Sequence, residues 1–406
     1  MANQPRGLQA FALISLTTLL ALSLFGSFGT VDTHSWLRWI SNLTTSGFQQ
    51  GYVLNQDNYP PLSSAMVLVA ARFGALLGLT PFQSLKLCLL ACLLLTSFIF
   101  WCWTRNVLLT MALQLALTPS AIGLTSVDIL FAPTLIAALW ALHSRKLFLF
   151  TVLYVITCLI KWQPLIIAPF LLVYLLQMQH WRDWRLESLK RLWWPVLFPA
   201  IGIVLAVFSA VGAELMRSFQ RALSHAYLSG DALNFNWVIT YLLHVLVPQS
   251  FGPLVNGQAQ YIISPDWRLH LFSKILFGAA YLVVLTAFIR HQKTFEALVL
   301  CALTGYLAYY ILNTGVHENH MFMIVILSAV LVALNPGHLL LFIDWGLAAN
   351  LNLFIFWGFD GSGPPISRTV GIDLTVVLAV LNVLLFLGLF TAVTAKHRSL
   401  LIETSS

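Results

Sequence analysis

Asp32 follows directly on a long apolar run, in the stretch Gly29-Thr-Val-Asp32-Thr-His34-Ser-Trp36. A carboxylate at a membrane surface, followed by an aromatic-rich loop and a Tyr-Pro-Pro re-entry, suggests a membrane-embedded active site. An acid at the C-terminal end of a helix opposes the helix dipole, which favours cations there, so Asp32 at the end of the first apolar run points to a chemical role. Twenty-five residues later, Asp57-Asn58-Tyr59-Pro60-Pro61-Leu62 leads into the next apolar run. Asp57 and Tyr59 are candidate sugar or acceptor contacts. The two prolines suit a first helical turn, whose N–H groups have no partner in any case.

Lys161-Trp162-Gln163-Pro164 interrupts two apolar runs. A lysine in that setting is costly unless it snorkels or pairs, and its ammonium could hold a phosphate. Val316-His317-Glu318-Asn319-His320 carries three ionisable groups in four residues. A zinc hydrolase motif would set its histidines four apart on one helix face; His317 and His320 are three apart, with no evident third ligand. Phosphate or sugar contacts by His317, Glu318 and His320 are preferred to a metal. In Asn234-Phe235-Asn236-Trp237 the Asn236 amide could hydrogen-bond a sugar and the Trp237 indole could stack on one. Asp128, in Thr125-Ser126-Val127-Asp128, is an acid at the edge of an apolar run. Such acids are functional candidates, although an N-terminal carboxylate also suits a helix dipole; its role, like those of His34 and Arg38, stays open.

These groups stand in a chain of 406 residues that is 59% hydrophobic and 9% charged, with a mean hydropathy of +0.85. A soluble domain carries roughly 25% charged residues, so the composition requires a polytopic membrane protein. The net charge of +7 does not indicate nucleic acid, because the basic residues gather at the ends of spans. The five cysteines lie in or beside apolar runs and read as small buried hydrophobes, with neither disulfide nor zinc expected. The first apolar run lacks a small-residue cleavage site and is expected to be a retained helix.

A crossing helix needs about 20 apolar residues. Full-length candidates are 8–28, 62–79, 82–103, 125–142, 193–212, 268–289, 294–313, 338–357 and 371–394; shorter runs fall at 106–121, 147–160, 163–178, 236–248 and 320–335. The sequence therefore predicts an all-α helical bundle of about 11–14 membrane segments. Of the 21 Lys and Arg, 11 sit at Arg6, Arg145-Lys146, Arg182 to Arg191, Arg290 to Lys293 and Lys396 to Arg398, which places both termini in the cytoplasm. Loops 29–61, 213–267, 314–320 and 358–370 then face outward, together with Lys161. The run 106–121 upsets this parity and is expected to dip in and return, broken near Pro119. Trp36, Leu37, Trp39, Ile40 and Leu43 share one helical face, which predicts an amphipathic helix in the interface.

Taken together, these stretches resemble the GT-C superfamily of polytopic glycosyltransferases, and within it the enzymes that use polyprenyl- or dolichyl-phosphate sugars. The resemblance rests on Asp32, Asp57-Asn58-Tyr59-Pro60-Pro61-Leu62, Lys161-Trp162-Gln163-Pro164, Asn234-Phe235-Asn236-Trp237 and Val316-His317-Glu318-Asn319-His320, spread over most of the chain in the family's order. The sequence departs from the family before Asp128, where it reads Leu124-Thr-Ser-Val127. The resemblance implies one integral membrane domain, 1–406, with a catalytic module over 1–212 and a variable helical module over 213–406. It implies transfer of a hexose, with inversion, from a polyprenyl-phosphate donor to a lipid-linked or envelope glycan at the outer face. Asp32 would be the base, and Lys161 with His317 or His320 would stabilise the leaving phosphate; Arg38 and Arg72 are lesser candidates. No cofactor is predicted, and a divalent metal is allowed but not required. The compact length favours a bacterial inner membrane over the endoplasmic reticulum. Two other classes are a flippase for a lipid-linked glycan, for which Arg72 and Asp344 within apolar runs speak, and a non-catalytic subunit of a glycan-assembly complex.

Overall fold

The computed structural model describes residues 15–183, 186–290, 292–363, 368–369 and 371–403. Arg6, Arg185, the first third of the 8–28 run and part of the 358–370 loop lie outside them. Among the described residues, six helices are long and apolar enough to cross a membrane: Pro81–Thr104, Lys190–Val211, Trp267–Arg290, Phe295–Leu312, Pro336–Trp357 and Leu374–Ala395. Shorter apolar helices include Val107–Gly123, Val127–His143, Leu147–Ile160, Gln163–Leu176, Phe235–Leu246 and Glu318–Leu334. The fold is the all-α bundle that the hydropathy predicts, and by helix composition the chain is an integral membrane protein.

Local chemistry fixes the helix ends. Thr80 and Gln83 form a reciprocal capping box ahead of Pro81, which satisfies two orphan donors at once. Asn106, Asn234 and Thr294 each cap the helix that follows by accepting a backbone N–H three residues on, as short polar side chains do at helix N-termini. Arg105 and Gln177 close their helices in the left-handed region.

The chain forms two compact units. One holds the residues up to Pro164, Arg191–Leu223 and Trp357–Gly363; the other holds Leu165–Lys190, Ser224–Phe356 and the residues from Pro364 onward. In the second unit, the helix Phe295–Leu312 is buried along almost its whole length. It packs against Trp267–Arg290, Phe322–Leu334, Ala168–Leu176 and Leu374–Glu403.

Two expectations about threading are corrected in the first unit. Phe28 stacks on Phe82 with ring centroids 5.5 Å apart, and Lys86 reaches the carbonyls of Leu24 and Ile122. The end of the first apolar run, the start of Pro81–Thr104 and the end of Val107–Gly123 therefore meet at one level. At the opposite level, the rings of Trp103 and His143 lie 5.9 Å apart. Val107–Gly123 thus runs the full depth of the bundle and does not dip and return. Pro119 lacks an N–H for the helical ladder, and the chain absorbs this in one π-helical turn, Pro119–Gly123, closed by Leu124 N–H on the Pro119 carbonyl at 2.8 Å.

The run expected to cross at 62–79 is the helix Pro61–Leu76, about 24 Å long at 1.5 Å per residue. Its start adjoins Tyr59, beside Asp128. Near its end Gly74 packs on Ser84, so closely that a side chain at 74 would meet Ser84 Oγ at 1.9 Å. Both ends therefore lie at the level of Lys86 and Asp128, and this helix runs along that end of the bundle rather than across it.

Candidate active site

Asp32 opens the helix Asp32–Ser46. Helical backbone over 15–23 stops well before it, so the acid stands at a helix N-terminus, where the dipole favours a negative charge. The dipole mismatch read from the sequence does not exist. The amphipathic face forms as expected: Trp36, Trp39, Ile40 and Leu43 are buried, while Asp32, His34 and Arg38 are exposed. His34 lies against Phe28, with ring centroids 4.8 Å apart.

The buried tryptophans wall in Tyr59. Trp36 and Trp39 each meet its ring edge-on at 5.4 Å. Tyr52 donates a hydrogen bond to the Tyr59 carbonyl at 2.9 Å, and Pro60 and Pro61 then force the chain into the next helix. The Tyr59 hydroxyl donates to Asp128 Oδ1 at 3.2 Å. Asp128 sits in the short 3-10 turn Val127–Phe131 that follows the π turn, and it is fully buried.

Lys161 completes the cluster. The helix Leu147–Ile160 ends where Lys161 turns extended (φ −145°, ψ 137°), and Pro164 prevents the helix from continuing. The Lys161 ammonium reaches Asp128 Oδ1 at 2.5 Å and the Tyr59 hydroxyl at 2.5 Å. It also lies 3.9 Å from the Tyr59 ring centroid, a cation–π distance. An ammonium has three N–H donors, so two are used among the described residues and one is left. Three buried polar atoms around Tyr59 have no partner among the described residues: Asp128 Oδ2, Trp36 Nε1 and Trp39 Nε1. Buried polar atoms are nearly always bonded, so this concentration of orphans around one ring makes the cluster the candidate site.

Asp32 is close enough to Lys161 and Asp128 to feel both charges. Part of its surface reaches solvent, but the packing around the carboxyl desolvates it and raises it above the ordinary range; Lys161 opposes that rise, and Asp128 adds to it. Burial pushes Asp57 up to about 7, against backbone hydrogen bonds from Asn58 and Tyr59 and the charges of Lys161 and Arg221. Burial, with Asp128, Asp32 and Asp57 nearby, holds the Tyr59 phenol well above its usual value, so it stays a donor. The sequence reading did not single out Arg221, which donates from Nε to the Asp57 carbonyl at 2.8 Å and pairs with the buried Glu214.

An apolar groove of about 510 Å³ lies in the same unit, between Pro61–Leu76, the first turns of Pro81–Thr104 and the last turn of Leu147–Ile160. Leu62, Met66, Phe73, Cys88 and Ile160 are among its lining residues. Ile160 directly precedes Lys161, and Leu62 follows Pro60-Pro61, so one end of the groove adjoins the cluster.

Arg72 is exposed in the first unit, and the other sequence candidates lie in the second. His317 Nε2 is 3.1 Å from His225 Nδ1, and the His317 ring also meets Tyr227 at 5.1 Å and His320 at 5.6 Å. His320 Nδ1 is 3.0 Å from the Tyr309 hydroxyl. Gly230 bonds to Val316 and Glu318 through its backbone, and any side chain there would meet His317 Nδ1 at 2.5 Å. Glu318 is largely buried. Asn236 and Trp237 serve as braces. The Asn236 amide donates to the carbonyls of Leu312 and Asn313 and accepts from Ser273, while Trp237 Nε1 donates to Thr375 at 2.7 Å. Both are buried to within 1%, so their polar groups are already used inside the bundle. Among the described residues, no cluster of three or more His, Cys, Asp or Glu could hold a metal ion.

No protein-family model matches the chain, and no curated protein sequence matches it significantly.

Proposed function

We propose that the protein is a membrane glycosyltransferase that takes a hexose from a polyprenyl-phosphate donor and passes it to a hydroxyl of a lipid-linked or envelope glycan at the outer face. The observation that carries this reading is the apolar groove whose end adjoins the Lys161–Asp128–Tyr59 cluster. A prenyl chain needs an apolar furrow, and its phosphate needs a cation at the furrow's end. Charge-assisted hydrogen bonds to phosphate are the strong ones, and Lys161 has one N–H to give.

In the transfer, the acceptor oxygen attacks the anomeric carbon from the face opposite the phosphate and its proton passes to Asp32. The bond from that carbon to the phosphate oxygen breaks, and its electron pair leaves with the polyprenyl phosphate. Inversion requires base and leaving group on opposite faces, and the departing phosphate needs positive charge more than a proton. Asp32, exposed and with no ion pair among the described residues, suits the base. Lys161, held in place by Asp128 and Tyr59, suits the phosphate. Trp36 and Trp39 would present indole N–H groups to the sugar or phosphate oxygens. His317, His320 and Glu318 lie in the other unit, and the steps above do not call on them.

The test is a donor panel. Purified protein in nanodiscs is given short-chain polyprenyl-phosphate sugars beside nucleotide sugars, and free polyprenyl phosphate is measured. Release from a lipid donor supports the reading. Release only from nucleotide sugars, or none from folded protein, refutes it.

A further inference from the structure

Lys86 is fully buried near the start of the Pro81–Thr104 helix, and among the described residues no carboxylate pairs with it. Its ammonium donates instead to three oxygens from two other segments: the Ile122 carbonyl, Thr125 Oγ1 at 3.2 Å and the Leu24 carbonyl at 3.4 Å. It also lies 5.7 Å from the Phe82 ring centroid. Burying an ammonium without a counter-charge is costly. A methionine of similar length would fill the same space without that cost, so packing alone does not call for lysine.

The three oxygens explain the lysine. In a continuing helix the Ile122 carbonyl would accept the Ser126 N–H, but the π turn diverts that N–H to the Ser120 carbonyl at 3.1 Å. Lys86 fills the vacancy. Thr125, which it also holds, stands in the left-handed region (φ +58°) and donates to the Phe28 carbonyl at 3.0 Å. Thr33 donates to that same carbonyl at 2.7 Å. Ser27 donates to the Gly123 carbonyl at 2.6 Å, and the Thr30 N–H to that of Leu124 at 3.3 Å. Gly29 (φ +83°) lies so close that any side chain would strike the Leu124 carbonyl at 2.3 Å. Thr33 is the neighbour of Asp32, and Thr125 lies three residues before Asp128. One ammonium thus clamps the segment that carries Asp32 to the segment that carries Asp128.

We infer that Lys86 is a positioning residue, whose ammonium sets the distance between the Asp32 segment and the Asp128–Lys161 pair. Its consequence for catalysis rests on the transfer reading above; the clamp itself does not.

The experiment measures peptide-resolved amide hydrogen exchange on the full chain in nanodiscs, for wild type, Lys86→Met and Thr125→Val, beside steady-state transfer from the lipid donor. Exchange at 27–33 and 122–128 should rise about tenfold or more in Lys86→Met and less in Thr125→Val, with Val107–Thr118 and Leu147–Ile160 unchanged. The kcat should fall about tenfold or more while KM for the donor stays within about twofold, the signature of misplaced groups rather than lost binding. Thr125→Val removes only a hydroxyl and carries the test if Lys86→Met does not fold. Unchanged exchange at both segments overturns the clamp. Loosened segments with wild-type kcat overturn the positioning role. If wild type transfers no sugar, the transfer reading fails, and the exchange measurement alone decides the clamp.

Discussion

Lys161 is bound to one oxygen of Asp128, at 2.5 Å, and the other oxygen of that carboxylate has no partner among the described residues. Both side chains are almost wholly buried. Removing one member of a buried pair strands the other charge at a cost of about 3–5 kcal/mol, whereas apolar replacement of both is often neutral. Lys161→Met should therefore lower the melting temperature strongly, and Lys161→Met with Asp128→Leu should recover most of the loss. Neither variant should transfer sugar. A double variant as unstable as the single one would show that the pair is not an isolated ionic unit.

Asp57 gives the fold a pH dependence whose sign is fixed. Its carboxyl is pushed up to about 7 from 3.8, so between those values the folded chain binds more protons than the unfolded one. Stability is then fully present below the unfolded value and declines as pH rises through about 7. Melting temperature measured across that window should fall for wild type and fall less for Asp57→Asn. Equal slopes would place Asp57 in water.

The raised carboxyl of Asp32 has a kinetic counterpart. A base must be ionised, so kcat/KM should drop on acidification with a midpoint above the ordinary carboxylate value of about 4. In Asp32→Glu, whose carboxylate sits one methylene further out, residual activity should keep an acid limb. A profile flat down to about pH 4 would exclude Asp32 as the titrating base.

The groove makes a prediction about chain length. Ala70 and Ala91 line it, and Ala70→Trp would fill part of it. For a long-chain donor kcat/KM should fall about tenfold, equivalent to about 1.4 kcal/mol of lost binding. A donor too short to enter the groove should be little affected. Equal losses for both would mean that the groove does not hold the prenyl chain.

Gly230 offers a test in the second unit. A methyl group there meets the His317 ring at 2.5 Å, so Gly230→Ala should destabilise by about 1–3 kcal/mol, as overpacking does. Unfolding that is unaltered would mean that His317 is free to swing away from His225.

Asp32, Tyr59, Asp128 and Lys161 were each legible in the sequence, because a polar group beside long apolar runs stands out against 59% hydrophobic composition. That Lys161 finds Asp128, 33 residues away, was not, since pairing across helices is a tertiary matter. Hydropathy also could not separate Pro61–Leu76, which runs along one end of the bundle, from a crossing helix, because apolar content does not encode direction. Lys86 escaped notice as one cation inside a long apolar helix; its signal was the absence of any nearby acid in sequence. Asn236 and Trp237 have side chains suited to sugars, yet their polar atoms are used within the bundle, and residue type alone cannot show that.

The proposed transfer from a lipid-phosphate sugar stands on Asp32 as its base. The direct measurement is release of polyprenyl phosphate by wild type and by Asp32→Asn, with the melting temperature of each. Asp32 is exposed, so the substitution should leave stability within about 0.5 kcal/mol while release falls by about 10²–10⁴-fold. Release by Asp32→Asn at the wild-type rate, from equally stable protein, would contradict the account.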